Sequence, residues 1–166
     1  MKIYLQNPEK TEIAVFDNEN QIGVNFSTWI KLTEEEIFQY ELENAKQEKL
    51  DEIDKFKKAI LYAPLEYKNF ILLATEKAQN NIVGTLVSSF DKKQWIDIGG
   101  NDIELSRSEF EEIRDIIEKR SYLCYRTEAD LIKNISTVKD ISELNNIDIE
   151  AEFAKIDKII TLGKNT

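Results

Sequence analysis

Residues 95–110 constrain the fold of this chain more than any other stretch. Two short runs in which isoleucine or leucine alternates with an acidic residue flank a Gly-Gly-Asn-Asp sequence, which predicts an antiparallel hairpin. Ser106 follows the second run, and Glu109 comes three residues later, the spacing of a helix capping box. A hairpin that leads directly into a capped helix predicts an α+β fold.

Composition favours long helices around a small sheet. The 166 residues include only 2 prolines and 5 glycines, so residues that break helices are few. Hydrophobic residues make up 42% of the chain, which is enough for a packed core. We therefore predict a mainly helical α+β fold with a small antiparallel hairpin or sheet core. One modest domain with appendages suits this length.

Changes in the residue pattern divide the chain into four segments. Short apolar runs separated by turn residues give way near Thr33 to capped amphipathic helices, and a further amphipathic helix follows residues 145–146 and stops near Gly163. The segments are a β-rich N-terminal arm (1–32), a long connecting helix (33–62), a compact α+β core domain (63–147) and a C-terminal amphipathic helix (148–166).

Within the predicted core domain, residues 66–73 have the pattern of a strand, and Thr75 has the position of a helix N-cap. The helix after Ser106 extends to about residue 135, either without interruption or with a break near Ser121. Trp95 is expected to cover one end of the core, and the alternative is a place in a binding groove.

The sequence offers little for catalysis, because it has no histidine and a single cysteine. Histidine is the usual general base at neutral pH and the commonest transition-metal ligand. Without a histidine partner, Cys124 is predicted to be a buried thiol on a helix. Asp97 and Glu104 are expected to face water, with paired carboxylates or a metal site as the alternative. We assign no catalytic, cofactor-binding or metal-binding residue and expect a protein that is not an enzyme.

The net charge of −10, from 22 basic and 32 acidic residues, argues against direct binding to a nucleic-acid backbone. We expect a solubilising surface, and the alternative is an acidic surface that mimics nucleic acid or binds a basic partner. No run approaches the ~20 apolar residues of a membrane span, so neither membrane association nor a signal peptide is expected.

A sequence of features runs from about residue 42 to residue 147. It comprises residues 44–50, 66–70, 78–86, the Trp95 hairpin, 105–110, 129–135 and 141–144. Their order resembles a phage-associated domain family of unknown function, found among tail-fibre-region proteins of phages and prophages. No catalytic residue is assigned in that family, and the helix after residue 147 departs from its pattern.

The resemblance implies a phage tail context, in the cytoplasm of the bacterial host or in the virion tail. We expect a protein that binds a fibre or baseplate protein as an assembly chaperone. The alternatives are a structural subunit of the tail or fibre, and an acidic inhibitor of a host nucleic-acid enzyme; a homo-oligomer is compatible with each.

Apolar side chains at the two ends of the chain are the first candidates for partner contacts. Phe153, Ile156 and Ile160 share one face of the C-terminal helix, and Trp29 and Ile30 end the apolar runs of the arm. Docking of the C-terminal helix onto the body of the protein is an equally weighted alternative.

Overall fold

Helices dominate the architecture, as predicted, and the α+β class is confirmed. The computed structural model describes residues 2–162, so the predicted stop at Gly163 lies outside the described residues. The helices are α1 (Glu34–Leu61), α2 (Glu76–Val87), α3 (Arg107–Thr137), α4 (Ile141–Asn145) and α5 (Ile149–Leu162). The strands are β1 (Ile3–Gln6), β2 (Ile13–Phe16), β3 (Ile30–Lys31), β4 (Leu65–Tyr67), β5 (Phe70–Leu72), β6 (Lys92–Ile96) and β7 (Asp102–Ser106).

The N-terminal strands form a three-stranded antiparallel sheet in the order β2-β1-β3. The phenol of Tyr4 donates a hydrogen bond to the carboxylate of Glu41 and so ties the central strand to the first half of α1. Two 3₁₀ turns, Glu19–Gln21 and Val24–Phe26, connect β2 to β3. Residues 1–32 are thus β-rich, as the sequence predicted, and they lie against α1.

The long connecting helix is α1, and both of its ends follow the predicted chemistry. The backbone N–H of Thr33 donates to Glu36 Oε2 (2.8 Å), and the N–H of Glu36 donates to Thr33 Oγ1 (3.3 Å). The helix ends at Leu61, because Pro64 disfavours helical geometry in the residue before it.

One cluster of buried side chains joins α1, the second half of α3, α4 and α5. Cys124 belongs to it, which confirms the predicted buried thiol. The cluster crosses the predicted boundaries at 62/63 and 147/148, so the division into a core domain of residues 63–147 and flanking helices stays a prediction. Its members are Ile53, Leu61, Cys124, Leu131, Ile135, Leu144, Ile149, Phe153, Ile156 and Ile160.

A second cluster joins the β4–β5 hairpin, the β6–β7 hairpin, α2 and the first half of α3. The helix α3 is continuous for 31 residues and contributes to both clusters, so the alternative with a break near Ser121 is wrong. The second cluster comprises Leu65, Tyr67, Leu72, Ala74, Ile82, Ile103, Leu105, Phe110, Ile113 and Ile117.

Residues 66–73 form a hairpin, so the single strand predicted there is wrong. Strands β4 and β5 pair with Tyr67 opposite Phe70, which leaves Lys68 and Asn69 as a two-residue turn. Lys68 adopts a φ of 53°, the left-handed conformation that such turns require. Glycine usually adopts this conformation in a turn. Because residues 68 and 69 include no glycine, the sequence pattern did not indicate the turn.

The cap of α3 gives a prediction for pH dependence. Lys68 donates to Glu109, and Ser106 donates to the same carboxylate through its N–H (2.7 Å) and hydroxyl (2.8 Å). These hydrogen bonds, that of Lys68 first, lower the pKa of Glu109 from 4.5 to about 2. A depressed folded-state pKa contributes stability above the unfolded pKa and loses it as the pH falls through the folded pKa.

We therefore expect E109Q to lose less stability than the wild-type protein between about pH 4.5 and pH 2. At pH 7 the variant should be less stable by about 1 kcal/mol. Urea denaturation at several pH values, with the exposed E118Q as control, measures the difference, since the other carboxylates titrate alike in both proteins. Parallel pH curves for the wild-type protein and E109Q would contradict the assignment.

Candidate functional site on the outer face of the hairpins

The β4–β5 and β6–β7 hairpins lie side by side. The backbone N–H of Ile98, just after β6, donates to the carbonyl of Ile71 in β5 (2.8 Å). The strands β4, β5, β6 and β7 therefore form one continuous surface, although only this bond joins the two hairpins among the described backbone contacts. Leu72 faces inward and is buried in the second cluster.

Four aliphatic side chains project from the opposite, outer side of this surface. Ile71, Leu73, Ile96 and Ile98 are between 43% and 61% exposed. They come from neighbouring strands, so they form a contiguous area, which we call the apolar patch. Contiguous apolar surface of this kind marks an interaction site more often than isolated exposed residues do.

A groove runs from the apolar patch between β6 and α2. Leu73 and Ile96 belong to the patch and also line the groove, which has a volume of about 460 Å³ at this end. It continues past Trp95 toward Gly84 and Thr85 of α2, where its volume is about 400 Å³. The patch and the groove thus form one connected site.

Hydrogen bonds at both ends hold α2 in place beside the groove. At its first turn, the side-chain amide of Gln79 donates to the carbonyls of Leu61 (3.2 Å) and Ala74 (2.8 Å). At its last turn, the guanidinium of Arg107 donates to the carbonyl of Leu86 (3.0 Å). The groove is therefore formed before any ligand arrives.

The pairing of β6 with β7 determines the direction in which each backbone N–H and C=O of β6 points. The N–H of Asp97 donates to the carbonyl of Asn101 (3.0 Å) at one end, and the N–H of Arg107 donates to the carbonyl of Asp91 (3.0 Å) at the other. Bonded and non-bonded pairs alternate in an antiparallel ladder. The odd-numbered residues of β6 therefore bond to β7.

The even-numbered residues Lys92, Gln94 and Ile96 direct their N–H and C=O groups away from β7. Of these three residues, Gln94 and Ile96 line the groove. Among the described residues, β6 pairs with β7 alone, and no other backbone group bonds to these three. The groove is thus lined along one side by an open strand edge, which is a template for pairing with another chain.

The charge of the groove is opposite to that of the whole protein. Lys77 and Lys93 are the charged residues that line it, and no carboxylate lies among the described lining residues. Lys93 Nζ lies 3.5 Å from Thr85 Oγ1. On a chain with a net charge of −10, this is a local positive site.

The predicted contact residues of the C-terminal helix face the interior. Phe153, Ile156 and Ile160 are 0%, 2% and 7% exposed and belong to the first buried cluster. The alternative, docking of α5 onto the body, describes this structure. A partner could reach the three side chains only if α5 left the body, so their binding role stays a prediction for such a state.

The predicted contact residues of the arm lie in β3 and directly before it, outside the cluster that contains the α5 residues. Ile30 is exposed on β3. Trp29 is half-buried, and its ring packs edge-to-face on Phe26 with the centroids 4.8 Å apart. The structure therefore does not bring the two predicted groups together.

The carboxylates of the hairpin serve the turn and the surface. Asp97 accepts hydrogen bonds from the N–H (2.8 Å) and side-chain amide (2.9 Å) of Asn101, which lower its pKa. Glu104 lies opposite Gln94 and forms an ion pair with Lys92 (2.7 Å), so Asp97 and Glu104 are not a cross-strand pair. Within the described residues, no group of three potential metal ligands is found.

Trp95 packs on the core, as expected, with its ring 5.3 Å from that of Phe110. Asp97, which was expected to face water, is half-buried on the same side of β6, while Ile96 and Ile98 project from the opposite side and are exposed. Burial of the large tryptophan side chain determines which side of β6 faces the core.

Comparison with protein families gives one match. Residues 44–155, two thirds of the chain, match the family described as Domain of unknown function (DUF4376). The chain belongs to the DUF4376 family. The matched region holds the apolar patch, the groove and most of both clusters, while the N-terminal sheet lies outside it. No curated protein and no solved structure gives a significant match. None of the described helices combines the length and the apolar character that crossing a membrane requires.

Proposed function

We propose that this DUF4376 protein is a non-enzymatic, phage tail-associated protein that binds a fibre or baseplate protein as an assembly chaperone. The phage context is supported by the resemblance of residues 42–147 to a domain family of tail-fibre-region proteins. The binding role is supported by the apolar patch, which carries the proposal.

A chaperone of fibre assembly needs a surface that holds a subunit before its permanent partner arrives. Unassembled β-rich subunits expose strand edges and apolar side chains that aggregate if they are left open. The apolar patch supplies complementary apolar surface, and the open edge of β6 supplies unpaired backbone groups beside it. A surface of modest size releases its client more readily than an obligate interface does.

The test of the binding role is co-expression with the fibre and baseplate proteins encoded near this chain. I96E places a charge in the centre of the patch, and burying an unpaired charge opposes binding. We expect the recovery of soluble fibre protein to fall about tenfold or more, since each ~1.4 kcal/mol of lost binding free energy is a factor of ten. V87E is the matched control, because Val87 is 86% exposed on α2 and outside the patch. Equal losses in the two variants would contradict the role of the patch.

Mass spectrometry of purified phage particles separates a chaperone from a subunit. A chaperone is expected in the lysate and absent from the particle, whereas a structural subunit of the tail is present in fixed stoichiometry. Detection at fixed stoichiometry would replace the chaperone by the subunit while leaving the binding surface in place.

A further inference from the structure

We propose that the groove binds an extended, acidic segment of the partner protein, which adds as a further strand to the open edge of β6. Only the identity of the partner, a fibre or baseplate protein, rests on the function proposed above. In this mode, backbone hydrogen bonds hold the added strand, and side-chain contacts on its two faces select its sequence.

The backbone of β6 defines the length of the added strand. Lys92, Gln94 and Ile96 each offer one N–H and one C=O, and they span ~13 Å at the usual rise of a strand. About five residues of the partner therefore pair with this edge. The open edge ends at Ile98, since its N–H is already bonded to the carbonyl of Ile71.

The wall formed by α2 leaves room for a chain beside β6. Gly84 lines the groove, and a Cβ added there would meet no atom within 4 Å. Packing inside the protein therefore does not require this glycine, although glycine in a helix costs about 1 kcal/mol relative to alanine. Close approach of another backbone is the use of glycine that fits this position.

The side chains of the groove specify the chemistry of the added strand. Its inward-facing residues meet Lys77 and Lys93, which have no ion-pair partner among the described residues, so acidic side chains complement them. Its outward-facing residues lie beside Ile96 and Leu73 of the apolar patch, so aliphatic side chains complement those. The predicted ligand alternates acidic and aliphatic residues.

A second copy of this chain matches the groove less well. In a twofold-symmetric pair, the second copy would offer its own β6 edge, which carries Lys92 and Lys93. Their positive charges would approach Lys77 and Lys93 of the first copy, and like charges directly opposite each other are unfavourable. The charge therefore favours an acidic segment of another protein.

The test uses the full chain and two capped nine-residue peptides, one that alternates valine with glutamate and one that alternates valine with lysine. We expect the glutamate peptide to bind at least tenfold more tightly, by fluorescence anisotropy. In amide hydrogen exchange followed by NMR, the N–H groups of Gln94 and Ile96 should gain protection on binding. The N–H of Trp95, which already faces β7, should not change. Tighter binding of the lysine peptide, no binding of either, or protection without this alternation would overturn the proposal.

Two variants of Gln94 distinguish the contribution of its backbone N–H to binding from that of its side chain. Q94P removes only an N–H that points away from β7, and proline is tolerated at such edge positions. We expect it to weaken binding of the glutamate peptide at least tenfold, whereas Q94A should bind within twofold of the wild-type chain. If Q94P does not fold, the charge reversal K93E is expected to exchange the preference between the two peptides. Unchanged binding in the folded variants, or a dimer of the free chain that Q94P dissociates, would overturn the proposal.

The same experiments distinguish a failure of strand addition from a failure of the proposed chaperone function. Fibre recovery that depends on the wild-type chain but is unchanged in Q94P would support the chaperone and refute strand addition. Alternating protection by the glutamate peptide, without recovery of any tail protein on co-expression, would support strand addition and refute the chaperone.

Discussion

Replacing Phe153 by alanine is expected to lower the free energy of unfolding by about 3–5 kcal/mol, the range for a large side chain removed from a packed core. Phe153 lies on α5 and is fully buried in the first cluster, where α5 packs on α1, α3 and α4. The substitution removes apolar contacts and leaves a cavity that the surrounding helices can fill only in part. Urea denaturation followed by circular dichroism measures the change.

The same helix provides the control. Ile159 is 44% exposed, and I159A should cost less than about 1 kcal/mol, as is usual for surface positions. Deletion of residues 148–166 should destabilise the protein at least as much as F153A does. If both substitutions cost equally little, α5 is not part of the core, and the partner-binding prediction for Phe153, Ile156 and Ile160 regains its basis.

Helix ends were the part of the fold that sequence reasoning predicted well. The capping boxes at Thr33 and Ser106 depend on side chains that bond to backbone groups only three residues away. Such local chemistry is visible in the sequence, and so is the effect of Pro64 on the end of α1. The predicted α+β class followed from these helices and from the hairpin between them.

The turn without glycine and the exposed side of β6 were not predicted, because contacts between distant residues determine them. Which side of β6 faces inward depends on the contact of Trp95 with Phe110, fifteen positions further along the chain. The Lys68–Asn69 turn likewise carries no glycine, and the pairing of β4 with β5 supports its conformation. Periodicity alone gives two equivalent faces, and tertiary packing selects one of them.

The candidate site combines residues that no local pattern joins. Ile71 and Ile98 become neighbours through one hydrogen bond between two hairpins. The helix α2 lies beside β6 because Gln79 and Arg107 hold its two ends and Ile82 is buried in the second cluster. The amphipathic pattern instead predicted partner contacts on α5, because the sequence does not show which surface covers the apolar face of this helix. In the structure that face is covered, while exposed apolar surface appears on strands.

Trp95 connects the stability of the second cluster with the shape of the groove. Its ring packs edge-to-face on the buried Phe110, with the ring centroids 5.3 Å apart, and another part of the residue lines the groove. W95A is expected to cost about 3 kcal/mol, the lower end of the range for tryptophan, because the ring is only partly buried. Thermal and urea denaturation measure the loss.

The conservative variant W95F decides what the tryptophan contributes. Phenylalanine keeps an aromatic ring against Phe110, so W95F should cost less than about 1.5 kcal/mol. It still alters the floor of the groove, so it should change binding of the alternating glutamate peptide more than it changes stability. A melting temperature of W95A equal to that of the wild-type protein would contradict the core role. The ring would then be a surface of the groove alone, and the inward face of β6 would have to be held by Ile103 and Leu105 of its partner strand.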